Sequence, residues 1–211
     1  MTNPRDAASG QAMGRRIQHP LVVQTAIPAS RFEATIGSGA AAQGLTNAML
    51  TVLVPVDHVT GQRTGASHSG VDVLLTRSMI ANDEWRHWVA TNVNHSTVVV
   101  RALEGRGAAA RTFSLTDCAS SGYEFGYDQG AGIEQLNLHC RSMQIASTNA
   151  PLTALAHDLM SGASSSRKTA TLRFGTGTGA AARAYAYTNV SLATYVFDKG
   201  TESFTLIGQT P

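Results

Sequence analysis

An internal repeat limits what this chain can fold into more than any other feature. Residues 100–118 read VRALEGRGAAARTFSLTDC and residues 172–190 read LRFGTGTGAAARAYAYTNV. At a constant offset of 72, eight of nineteen positions are identical. They are Arg101/Arg173, Gly105/Gly177, Gly107/Gly179, three consecutive alanine pairs, Arg111/Arg183 and Thr116/Thr188. Tyr123 and Phe125 continue the match onto Tyr195 and Phe197, and a deletion of four then brings Glu134 onto Glu202. A Gly/Ala-rich chain supplies a few such matches by chance, but not the aromatic and turn positions in the same order.

The unit extends backwards. Alternating apolar residues over 70–76 and 134–140 predict a strand before each copy. A helix is expected after each. Asn82–Val89 opens with a capping residue and acidic first turn, and places Trp85, Trp88 and Val89 on one face. From Asn149, Pro151 suits a first helical turn, and Leu152, Leu155, Ala156, Leu159 and Met160 follow helical spacing until Gly162. Further strands are predicted at Leu21–Val23, Arg31–Ile36, Met49–Val54 and Val71–Leu75, separated by Gly/Ser/Thr/Asn clusters. Each unit is then strand, short helix and three strands, with the strand near 134–147 shared. Overlapping units of this kind suit a curved or closed antiparallel sheet, because closure removes exposed edges. Residues 1–16 are polar and aperiodic and read as a flexible N-terminal arm. Residues 17–211 read as a single β-domain, with half-repeats over about 66–147 and 134–211.

Composition narrows the function classes. The chain is 43% hydrophobic but only 14% charged, which favours surface buried against partners. A net charge of +2 gives no basic excess of the kind that marks a nucleic-acid binder. No apolar run approaches membrane-spanning length, and the polar stretch from Met1 to Gly10 carries no secretory signal. Cys118 and Cys140 are too few to staple a fold of this size and lie in no CxxC.

The chemical motifs are weak. Gly175–Gly179 follows a strand in the manner of a dinucleotide fingerprint, but that site needs a following helix and Ala184–Phe197 is strand-like. A hairpin turn is the better reading. None of the seven histidines shows paired ligand spacing. Ser67-His68-Ser69 is no nucleophile elbow, and Asp57-His58 has no nucleophile tied to it. The expectation is no catalytic residue, no metal and no cofactor. Trp85 and Trp88 read as core packing or as a partner contact.

Longer runs resemble a known family. Pro151–Phe174 (PLTALAHDLMSGASSSRKTATLRF) resembles the helix and following strand of type VI secretion tube proteins, the hemolysin-coregulated protein family. Ser67–Gly105 is similar to the same part of that family and of phage tail tube proteins. Ala110–Ile145 is similar to its closing strands, the last introduced by Glu134. The resemblance covers about residues 66–211 in two overlapping copies.

It implies a mainly β protein, an antiparallel barrel or sandwich of tail-tube type with two short helices. The implied role is a structural subunit of the inner tube of a contractile injection system or phage tail, in stacked hexameric rings. Implied partners are further copies of the chain, sheath, baseplate or spike proteins, and effector or DNA cargo in the lumen, with no membrane anchor. Assembly in the cytoplasm is expected, followed by a place in a virion tail or passage through an injection apparatus. Candidate ring or stacking residues are Gly65, His68, Gly70, Trp85, Trp88, Gly162 and Ser164. Two other classes fit the same residues: a β-rich ligand-binding or adaptor module using Trp85, Tyr123 or Tyr127, and a hydrolase with a site assembled around His58 or His68.

Overall fold

Alternation along the strands decides which side chains turn inward. A computed structural model describes residues 18–53, 70–80, 84–91, 96–128, 130–147, 170–174 and 183–209. The strands are β1 (Gln18–Ala26), β2 (Arg31–Ile36), β3 (Gln43–Leu45), β4 (Asn47–Leu53), β5 (Val71–Ser78), β6 (Ser96–Leu103), β7 (Ala109–Asp128), β8 (Ala131–Ser147), β9 (Ala170–Phe174), β10 (Arg183–Asp198) and β11 (Thr201–Gln209). One helix is described, α1 (Glu84–Thr91), between β5 and β6. The second expected helix, 149–162, lies outside the described residues, as does the expected arm. No described helix is long and apolar enough to cross a membrane.

The strands form one antiparallel sheet in the order β1-β11-β10-β4-β5-β8-β7-β6-β2-β3, with β9 on β10. Odd positions of β5 (Val71, Val73, Leu75, Arg77) are buried, and its neighbours contribute Ala48, Leu50 and Val52 from β4 and Leu136, Leu138 and Cys140 from β8. Aromatic contacts show that the sheet curls over this core. Phe197 of β10 lies 4.7 Å from Phe113 of β7 and 5.9 Å, edge to face, from Phe32 of β2. Residues 27–30 tie the two ends of the roll: Ile27 N–H donates to Gly200 C=O (2.7 Å) and Ser30 N–H to Leu103 C=O (2.8 Å).

Turn chemistry fixes the register. The β10–β11 hairpin turns on Lys199 (φ 47°) and Gly200 (φ 79°), both left-handed, as a two-residue connection requires. The β7–β8 hairpin is the longest ladder, from Arg111 opposite Ser147 to Asp128 opposite Ala131. The two cysteines, read in the sequence as no staple, are disulfide-bonded across it.

Helix α1 forms where an acidic residue, Glu84, starts it and an apolar stripe follows. Trp85 is buried, while Trp88 and Val89 are half-buried against the core. Its exposed face carries Arg86 and His87.

Candidate functional site

Two charged networks lie inside the curled sheet, and each is built around one glutamate. Arg77 ends the inward alternation of β5, directly opposite Glu134 of β8. Its Nε donates to Glu134 Oε2 at 2.6 Å, and Tyr123 of β7 donates its hydroxyl to Oε1 at 2.8 Å. Arg77 also donates to Gln43 of β3, which in turn donates to Glu84 at the start of α1. The Trp85 ring lies over the Arg77 guanidinium, 4.1 Å from ring centroid to Cζ. The helix is thus seated on the sheet through a buried cation, with Trp85 1% exposed. The Trp85 indole N–H finds no acceptor among the described residues.

The second network crosses the roll. Arg111 of β7 meets Glu202 of β11 with two parallel contacts, Nε–Oε1 at 3.1 Å and Nη2–Oε2 at 3.3 Å. Tyr195 of β10 donates its hydroxyl to Glu202 Oε1 at 3.0 Å. Burial, followed by the adjacent Glu202 charge and the bond to it, raises the Tyr195 hydroxyl well above its ordinary pKa, although Arg111 pulls the other way. Tyr123 is raised by the same kinds of cause, burial first and then Glu134, with Arg86 opposing. The residues aligned by the 72-residue offset therefore make the same bond, Tyr123 to Glu134 and Tyr195 to Glu202. Their arginines come from different strands. Both carboxylates are buried and bonded to their own Arg and Tyr, so they hold the sheet and present nothing to a substrate.

The candidate interface residues are placed unevenly. Trp85 faces inward, and Trp88 is half-buried. Gly70 is buried just before β5 at φ 110°, where an added Cβ would lie 2.5 Å from the His139 ring and 3.0 Å from the Cys140 carbonyl. It lets β5 approach β8. Gly65, His68, Gly162 and Ser164 lie outside the described residues, as do Asp57, His58 and Ser67. The glycine run 175–179 lies there too, but its described flanks are the antiparallel strands β9 and β10, with Phe174 opposite Arg183. His139 pairs with Asp72 at 2.8 Å on the exposed face. Among the described residues no three His, Cys, Asp or Glu side chains converge as metal ligands would.

A surface feature that the sequence showed only in part, through Tyr127, lies at the far end of β7. Beyond Cys118, no described strand pairs with the outer edge of β7. On this stretch Phe125 is 62% and Tyr127 75% exposed. Gly132 of β8 stands opposite Tyr127 and accepts a 2.8 Å bond from the Met79 amide, and Met79 and Ile80 are exposed beside it. The period-two spacing of Tyr123, Phe125 and Tyr127 was the available signal, since it puts all three on one face.

No family model matches the chain, and no curated protein matches its sequence. Solved structures of similar trace do exist. Hcp1 from Flavobacterium johnsoniae is 12% identical, with a TM-score of 0.48 over 56% of this chain and 95% of that one. The PVC sheath/tube terminator of an extracellular contractile injection system is 12% identical, with a TM-score of 0.48 over 58% and 98%. The tube-terminating cap of the anti-feeding prophage is 14% identical, with a TM-score of 0.45 over 60% and 94%. In each case nearly the whole neighbour corresponds to little more than half of this chain.

Proposed function

We propose that this chain is a structural subunit of the inner tube of a contractile injection system or phage tail, assembled as stacked rings of six. The observation that carries the reading is the end of β7: among the described residues its outer edge is unpaired and bears exposed Phe125 and Tyr127, with Met79 and Ile80 alongside. An unpaired edge with apolar side chains is a template for another chain, and natural proteins blunt such edges unless they use them. The outer edges of β1 and β3 are likewise open among the described residues. A chain with 14% charged residues has little else to keep such surfaces apart. The resemblance over residues 66–211 supplies the form, a heterologous contact that repeats from subunit to subunit.

Its partners are copies of itself, with sheath, baseplate or spike proteins at the outside and ends and cargo in the lumen. It is not an enzyme in this reading, and its place is in a particle assembled in the cytoplasm and later carried in a virion tail or through an injection apparatus. The segments holding Gly65 and His68, and Gly162 and Ser164, make the ring-to-ring contact with Trp88. Trp85 and Gly70 are the buried members of that candidate set.

The test is paired. Phe125→Ser with Tyr127→Ser, and separately deletion of residues 62–69, should each weaken assembly in sedimentation while far-ultraviolet circular dichroism stays that of the wild type. Folded variants that assemble as well as the wild type would remove these surfaces from the account.

A further inference from the structure

The sheet changes partners at a single level. Across it, Ser96 of β6, Cys118 of β7, Cys140 of β8 and Val71 of β5 stand in register. The described pairing of β6 with β7 stops at Ser96, and that of β5 with β8 stops at Val71. To one side of this level β8 is flanked by β5 and β7. To the other side β7 is flanked by β6 and β8. Among the described residues two three-stranded wings therefore share the β7–β8 ribbon and meet at Cys118 and Cys140, while β3 also bridges from β2 to the Arg77 end of β5.

The ribbon is irregular there. Asp117 has φ 57°, the β6–β7 register shifts between Ser96 and Val98, and the β7–β8 register shifts between Ser120 and Gly122. A ladder that exchanges its flanking strands beside bulges is a weak place in a sheet, prone to local opening. The disulfide sits at that place, with Cα atoms 4.0 Å apart and both cysteines fully buried.

We propose that the Cys118–Cys140 bond is a one-way redox lock on the join between the two wings. Where glutathione is kept reduced, both thiols stay free and the ribbon opens from time to time. Where a small-molecule disulfide such as oxidised glutathione is present, an opening lets one cysteine thiolate attack it, giving a mixed disulfide and one released glutathione thiolate. The second cysteine thiolate then attacks the mixed disulfide at the protein sulfur and releases the second glutathione. The two cysteines are oxidised, the donor is reduced to two thiols, and the cysteine protons end on those thiols. Reduction is not the easy reverse. The closed bond spans 22 residues and makes opening of the ribbon on the order of a hundredfold rarer, so the buried sulfurs are hidden by the strands they join.

The full chain, prepared under reduced and under oxidised glutathione, tests this without reference to any assembly. Thiol counting in denaturant should give two per chain in the first and none in the second. The oxidised form should keep its bond for hours in millimolar dithiothreitol in native buffer and lose it in minutes once denatured. Amide exchange over 117–122 and 137–142 should be roughly a hundredfold slower in the oxidised form. Reduction equally fast in native buffer and in denaturant would overturn the lock, and so would equal exchange in the two forms. The double variant Cys118→Ser/Cys140→Ser should exchange like the reduced chain whichever glutathione is used, and protection matching the oxidised form would contradict the proposal. If that variant fails to fold, reduced wild type carries the same comparison.

Discussion

The Tyr195 hydroxyl donates a 3.0 Å hydrogen bond to the Glu202 carboxylate inside the curled sheet, beside the Arg111 guanidinium. Three strands, β7, β10 and β11, meet at this one carboxylate. Removing only the charge of Glu202 leaves Arg111 buried without its counter-ion. Glu202→Gln should therefore cost about 3–5 kcal/mol in urea unfolding, whereas Arg111→Met with Glu202→Leu should cost much less. A double-mutant cycle showing no coupling between the two positions would contradict the structure of this network.

The raised hydroxyl of Tyr195 sets an alkaline limit. Its folded pKa lies above the unfolded value of about 10, so the folded form holds the proton more tightly. The stabilisation is complete below about pH 10 and is lost as pH rises toward the folded pKa. Tyrosinate absorbance should show Tyr195 ionising only with unfolding, and Tyr195→Phe should remove that part of the alkaline dependence. Tyr195 ionising near pH 10 in the folded protein would sink the assignment.

Gly70 is a steric requirement as well as a turn. Both its φ of 110° and the nearness of the His139 ring oppose any side chain. Gly70→Ala should destabilise the protein by about 1–3 kcal/mol. His139→Ala should relieve only part of that, since the Cys140 carbonyl and the backbone conformation stay. Full rescue by His139→Ala would show that the ring alone is the obstacle.

The two tryptophans of α1 should separate cleanly. Trp85→Ala removes a buried ring from over Arg77 and should cost about 3–5 kcal/mol. Trp88→Ala should cost much less in monomer stability and weaken assembly instead. Equal stability losses at the two positions would place Trp88 in the core and remove it from the contact surface.

Much of the fold was legible because strand alternation is a local signal. Arg31–Ile36 is read from its residues with the bounds that β2 has, and Trp85, Trp88 and Val89 on one face fix how α1 sits. The buried ion pairs were not legible. Arg77 ends an inward alternation, but its partner is 57 residues away and nothing local names it. The offset matching Tyr123 and Glu134 to Tyr195 and Glu202 was visible, yet it reads as ancestry until the hydroxyl–carboxylate distances are known. The disulfide left a clearer trace. Reading residues 109–147 as one hairpin would have brought Cys118 and Cys140 to within one residue of each other across it, and the register shift between Ser120 and Gly122 sets them face to face. The exposed ends of strands were the hardest part, because Phe125 and Tyr127 alternate as core residues do and no described strand covers them.

Particle size and shape test the tube account most directly. Purified full-length chain at high micromolar concentration, imaged by negative-stain electron microscopy alongside sedimentation velocity, should give rings with a central channel and stacks of such rings. A folded chain that stays monomeric at that concentration, and also appears as single subunits in its native particle, would contradict it.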